Sequence, residues 1–325
     1  MSIQETNLKA IADAIRAKTG LTGTIKASEF ASKISAISTG VAKPKWIQST
    51  LPTSYGWCSV CYGNGKFVAV GKTNAYDINY STDGINWTTG VTSLVGAWQS
   101  VCYGDGKFVA MNDGGATAAY STDGINWTQC TMPGTRAWCS VCYGNGKFVA
   151  TCHDTFLAAY STDGINWTST RLPSGSNRWD AICYGNGKFV ALSADSNGIA
   201  AYSTDGVNWN QSTISANSNW CSVCYGNGKF VAVAYGSTAA YSTDGINWTD
   251  FDVPYDSWQY ICYDNGKFLI VDYDGEFAYS TDGINWARST VPGAHDLLSV
   301  CYGNGKFVAV GVGTAYLKDS FDSWA

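Results

Sequence analysis

The sequence predicts an all-β fold, a seven-bladed β-propeller with four strands per blade, its last blade closed by the N-terminal strand, preceded by a short N-terminal α-helical hairpin. Three observations carry this expectation. The stretch YSTDGINW, first met at Tyr80–Trp87, returns at Tyr120–Trp127, Tyr160–Trp167, Tyr202–Trp209 (with Val207 for Ile), Tyr241–Trp248 and Tyr279–Trp286. A second stretch, CYGNGKF or a near variant, occurs seven times, with cysteines at Cys61, Cys102, Cys142, Cys183, Cys224, Cys262 and Cys301, 38 to 41 residues apart. A period of this size marks a solenoid, a propeller or an array, and four short strands per period select the propeller. Finally, WIQST at Trp46–Thr50 matches the fourth strand of the other units, while the last unit runs out at Trp324–Ala325, so the first strand is expected to complete the last blade and remove two open edges.

Residues 1–45 differ in kind from the repeats. Leu8, Ile11, Ala12 and Ile15 share one face of an amphipathic helix, with Thr6 or Asn7 as cap and Gly20 as stop. After LTGT, Ser28 can cap a second helix carrying Phe30, Ile34 and Ile37, before STGVAKPK loosens into a linker. The expected domains are 1–45, a helical attachment segment and linker, and 46–325, the propeller.

Within each unit WCSVCYG reads as a first strand, GNG as a two-residue hairpin and KFVAVG as a second strand. A variable loop leads to the third strand AAYS, the turn TDG and a fourth strand starting at INW. All fourteen tryptophans obey the repeat, six of them opening first strands (Trp57, Trp98, Trp138, Trp179, Trp220, Trp258) with Leu297 in the seventh place. Such positions are expected in the core, with a ring at the channel mouth as the alternative.

At 325 residues, 45% hydrophobic and 14% charged, the chain can bury a large core. Residues 1–45 carry net +4 and residues 46–325 net −9, and an acidic body speaks against nucleic acid. No 18-residue apolar run or secretory signal is seen, so synthesis in a bacterial cytoplasm without membrane insertion is expected. Of the twelve cysteines, seven are the repeat cysteine and three precede it by three residues (Cys58, Cys139, Cys221). On a regular strand such pairs point to opposite faces, so they are read as reduced, buried and metal-free, and no cofactor is expected.

In an up-and-down blade the GNG and TDG turns share one face, and the two variable loops share the other. Variable loops on a rigid scaffold are where binding residues are held. The residues singled out there as ligand-binding are Tyr55, Tyr76, Arg136, His153, Phe156, Arg178, Tyr235, Tyr255, Tyr273, Asp274, Glu276 and His295. Aromatic and carboxylate groups on loops suit sugar rings and equally a protein partner.

YSTDGINW resembles the Asp-box of sialidase-like and BNR-repeat propellers, though those usually have one more residue between Asp and Gly. The resemblance implies that Ser81, Asp83 and Gly84 and their copies brace a turn while Trp87 packs between sheets. It also brings a glycoside-acting enzyme into view, but those enzymes use three arginines and a tyrosine–glutamate pair. This propeller has Arg136, Arg171, Arg178, Arg288 and a single glutamate, Glu276. No catalytic residue is therefore assigned. IADAIRAKTG with IKASEFASKI resembles a short N-terminal module of bacteriophage tail and baseplate proteins, which implies attachment to other tail proteins and a virion location. The expectation is a non-enzymatic receptor-binding protein recognising a cell-surface glycan or protein, with a homo-oligomer left open. The alternatives are a glycoside-acting enzyme and a ligand-free structural spacer.

Overall fold

A computed structural model describes residues 13, 46–49, 51–52, 56–72, 78–91, 94–215, 218–254, 257–290, 296–312 and 314–317. Contacts divide the chain into two units, Met1–Lys45 with Lys318–Ala325, and Trp46–Leu317. The helical hairpin expected over 1–45 lies outside the described residues, which include only Asp13 of that segment.

Unit Trp46–Leu317 is an all-β propeller. In the first repeat the inner strand Trp57–Gly63 pairs with Lys66–Gly71, then Ile78–Ser81, then the short outer strand Thr88–Thr89. Asn64 and Gly65 between the first two have φ of 44° and 74°, the left-handed pair that a tight hairpin of this twist requires. Outer strands begin after the tryptophan and not at INW, because the amides of Ile85 and Asn86 are already given to Asp83 Oδ1, each at 2.8 Å.

Among the described residues the sheets number five of four strands and one of six, which corrects the expectation of seven separate four-stranded blades. The cause is local to the second repeat. Strands Lys107–Ser121 and Thr128–Gly144 continue through what other repeats leave as loops, pairing Asp113 with Ala137 and Gly115 with Arg136 across two register shifts. The second of these strands runs on as the next inner strand, fusing two copies into one sheet. At the other end of the unit, Trp46–Ser49 pairs antiparallel with Thr314–Leu317 and completes the sheet of the last repeat.

The first-strand tryptophans are core. All six are 0–2% exposed. Trp179, for example, packs with Val149, Leu172, Ile182 and Phe189 between adjacent sheets. Neighbouring inner strands are kept close by glycine. A Cβ on Gly144 would lie 2.0 Å from the ring of Tyr184, and Gly303 meets Tyr62 in the same way where the last repeat meets the first.

The six YSTDGINW turns are braced identically. Ser81 Oγ donates to Asp83 Oδ1 at 2.9 Å and accepts the Gly84 amide at 2.8 Å, while Asn86 Nδ2 donates to Asp83 Oδ2 at 2.7 Å. Burial opposes ionisation of Asp83, but these donors and the two amides outweigh it and hold the carboxyl well below its usual range. The GNG turns are tied to the turns of the next repeat, Asn64 Nδ2 to the Thr122 carbonyl and Asn145 Nδ2 to that of Thr204. Lys229 and Lys306 reach the carbonyls of Asp282 and Asp83 at 2.9 Å. The near-invariance of that face thus has a structural cause.

Candidate functional site

Each inner strand carries a register shift directly after its first residue, as between Trp57 and Ser59 or Trp138 and Ser140. Two residues there oppose one on the partner strand, so alternation is broken and residues three apart share a face. Cys221 and Cys224 accordingly pack against one and the same cluster, around Trp258 and Ile261. This corrects the opposite-face assignment of the C-x-x-C pairs. No disulfide joins the described cysteines.

The bulge also turns the second residue of each inner strand toward the channel. On the variable-loop side these residues line a cavity of about 330 Å³. They are the place where the repeat stops repeating: cysteine at 58, 139 and 221, glutamine at 99 and 259, aspartate at 180 and leucine at 298. A second tier comes from residues just past the second strand, namely Lys72, His153, Tyr235 and Tyr273. The tyrosines are 48% and 43% exposed, at the rim. Two polar atoms in the wall, Gln99 Oε1 and Asp180 Oδ1, are buried with no hydrogen-bond partner. A buried polar atom without a partner costs about 1–3 kcal/mol, which a ligand can relieve.

The rim is charged on one side. Lys72 Nζ holds Asp113 Oδ2 at 2.8 Å, and Asp113 Oδ1 is 3.9 Å from His153 Nε2. Cys139 Sγ donates to the carbonyls of Trp179 at 3.2 Å and Thr151 at 3.6 Å. Burial, with the Asp180 carboxylate beside it, pushes this thiol up, so it is a poor nucleophile as it stands.

At the opposite end a second cavity of about 360 Å³ is ringed by the seven repeat cysteines. Burial raises all seven thiols. Between the two cavities stands Tyr260, which takes the place held by serine in five repeats and by Ala181 in another. Burial raises its hydroxyl, and the thiols of Cys262, Cys301, Cys224 and Cys61, on four different strands, push it the same way.

Of the residues expected from the sequence to bind a ligand, His153, Tyr235 and Tyr273 meet at this mouth. Arg178 stands behind it, bound to Asp180 Oδ2 at 2.9 Å. Arg136 lies in the long ribbon of the second repeat, donating to the Thr135 carbonyl, and Phe156 lies under the Arg171 guanidinium at 5.4 Å. Glu276 is engaged by Arg288 Nε at 2.9 Å, and Asp274 is an exposed turn residue. Tyr55, Tyr76, Tyr255 and His295 lie outside the described residues. Cys139, Asp180 and Gln99 escaped the sequence reasoning, although comparing the seven inner strands position by position would have marked them.

No protein-family model and no curated protein matches the chain. Among solved structures it is similar to a virginiamycin B lyase from Staphylococcus aureus, at 13% identity and a TM-score of 0.75, over 85% of this chain and 99% of that one. It is likewise similar to YCF48 bound to a D1 peptide, at 14% identity and a TM-score of 0.68, over 86% and 99%. The WD40 propeller domain of Doa1 matches at 15% identity and a TM-score of 0.67, over 87% and 99%. An enzyme, a protein bound to a peptide and a WD40 domain thus share this architecture, and at such identities the likeness establishes the β-propeller fold alone.

Proposed function

We propose that the chain is a non-enzymatic binding protein whose ligand site is the channel mouth on the variable-loop side, and that the ligand is a cell-surface glycan or protein. The observation that carries this reading is that the framework positions departing from the repeat are the ones that line this cavity, with unpartnered polar atoms in its wall and tyrosines at its rim. Sugars and peptides both offer hydroxyls or amides for such groups and flat apolar faces for the tyrosines. A glycoside-acting reading is less well supported, because the propeller's single glutamate is paired with Arg288 away from the cavity.

We take the scaffold beneath the site to be sevenfold, the six-stranded sheet counting as two fused copies. Support comes from the seven inner strands, which neighbour one another in sequence and meet again where the last touches the first. Attachment of residues 1–45 to phage tail proteins, with a virion location, is proposed on their sequence resemblance.

A glycan array probed with the purified full chain, beside a glycosidase screen, tests the reading. Tyr235→Ala and Tyr273→Ala should each weaken a bound glycan about 30-fold or more at unchanged melting temperature. Lys147→Ala, on the opposite face, should leave it untouched. Binding that ignores both tyrosines, or turnover of a glycoside, overturns the proposal.

A further inference from the structure

We propose that Cys139, His153 and Asp180 form a binding site for one divalent transition-metal ion of the zinc class, with an open coordination position facing the cavity. The site lies in the wall of the same cavity, but it needs no glycan or protein ligand to form and is tested without one.

The geometry is the first support. The sulfur, an imidazole nitrogen and a carboxylate oxygen of these residues all lie within 4.8 Å of one another. Around a tetrahedral zinc with bonds of about 2.0–2.3 Å, ligand atoms sit about 3.4–3.6 Å apart, so side-chain movements of about 1 Å close the site. Three anchored elements supply the groups. Cys139 and Asp180 occupy the same bulge position in successive inner strands, flanked by the pairs Trp138↔Cys152 and Trp179↔Ser193. His153 follows the second strand of the Cys139 repeat and is fixed by its amide to the Ala137 carbonyl at 3.1 Å.

The second support is independent of the clustering. Asp180 Oδ2 is satisfied by Arg178, whereas Oδ1 is buried and has no hydrogen-bond partner. A cation bound at Oδ1 removes that deficit. Asp113, held by Lys72, lies beside His153 Nε2 and supplies the outer carboxylate that commonly fixes a metal-binding imidazole.

The donor set chooses the metal class. Thiolate and imidazole favour zinc, cobalt and their neighbours over magnesium or calcium, which prefer all-oxygen shells. Three protein ligands leave a fourth position for water or an incoming donor atom, and the cavity provides the room. Coordination replaces the S–H bond of Cys139 by a sulfur–metal bond, and the proton leaves to solvent.

The test uses the purified full chain, stripped with a chelator, dialysed, and titrated with cobalt(II) alone. One cobalt per chain should bind, with a thiolate-to-cobalt charge-transfer band in the near ultraviolet, and zinc should displace it. Cys139→Ser should abolish the band, and His153→Ala and Asp180→Asn should weaken binding about 100-fold or more. Asp113→Asn should weaken it about 10-fold. Cys221→Ser, the same bulge position two repeats on, should leave the band unchanged. Melting curves identify folded variants, and if Cys139→Ser fails to fold, half-exposed His153 still decides the matter. Absence of the band, its survival in Cys139→Ser, an unchanged cobalt affinity in His153→Ala, or equal loss of the band in Cys221→Ser overturns the proposal. No glycan is present, so a failed metal site leaves the ligand reading standing, and cobalt binding without any glycan partner leaves the metal site standing.

Discussion

Replacing Trp46 with alanine removes the side chain that pins the closing strand to its surroundings. Trp46 is 5% exposed, and its ring meets Phe277 of the neighbouring sheet edge-on, at 5.4 Å and 73°. Truncating a buried tryptophan costs about 3–5 kcal/mol, and the lost edge contact places this case in the upper half of that range. The strand offers only four paired residues to compensate. For domains of 150–250 residues, 1 kcal/mol moves the melting temperature by about 2–4 °C, and a longer chain falls at the low end. A drop of about 8–10 °C is therefore expected in a calorimetric scan of Trp46→Ala. Trp46→Phe separates packing from polarity. The indole N–H has no partner, so phenylalanine loses volume but also removes a buried orphan donor, and the net change should stay within about 1.5 kcal/mol, or roughly 3 °C. A Trp46→Ala protein melting within 2 °C of wild type, or a Trp46→Phe protein as damaged as the alanine variant, would refute the assignment of this strand as the clasp.

Gly144→Ala should cost about 1–3 kcal/mol in urea unfolding by driving a Cβ into the Tyr184 ring, and most of that cost should vanish in a Tyr184→Ala background. The turn aspartates set the acid limit. Their folded pKa values are depressed, so their contribution is fully present above the ordinary carboxylate pKa near 4 and is lost as pH falls further. Asp123→Asn should flatten the fall in urea midpoint between pH 5 and pH 3. Asp272 acts with the opposite sign. It is fully buried, and that burial raises its pKa to about 6, so the folded state prefers the protonated form and stability declines as pH rises from about 4 through 6. Asp272→Asn should gain about 1–3 kcal/mol at pH 7.5 and little at pH 4, and an equal effect at both would show that its ionisation is not the cause.

The repeat, the hairpins and the closing strand could be read from the sequence because each is encoded within about ten residues. Asn64-Gly65 needs no distant partner to declare a tight turn, and WIQST announces its role by matching its copies. The six-stranded sheet could not be read, because its extra pairing runs through the glycines of NDGGA and the MPG of the following loop, residues that locally signal turns. The bulges were equally hidden. Nothing in WCSVCYG marks the extra residue, since a bulge is a mismatch with the partner strand. Without that one residue, regular alternation turns Cys139 and Asp180 away from the channel, and with them most of the candidate site. His153, Tyr235 and Tyr273 were found because they sit at the edges of loops, where variation was already expected.

Tyr260 shows what a ring of copies cannot do by copying. Any side chain repeated at every step around an axis is held off that axis by its own images, so a faithful set leaves an open bore. Seven tyrosines would not fit, and seven serines would not reach. Narrowing the passage requires one copy to break ranks, and here the sixth does, with a tyrosine that borders both a chamber lined by changeable residues and a chamber lined by seven identical thiols. Symmetry supplies the bore of this molecule, and the one bulky departure from it, Tyr260, stands in the wall of both cavities, so the two ends are free to acquire unrelated chemistries.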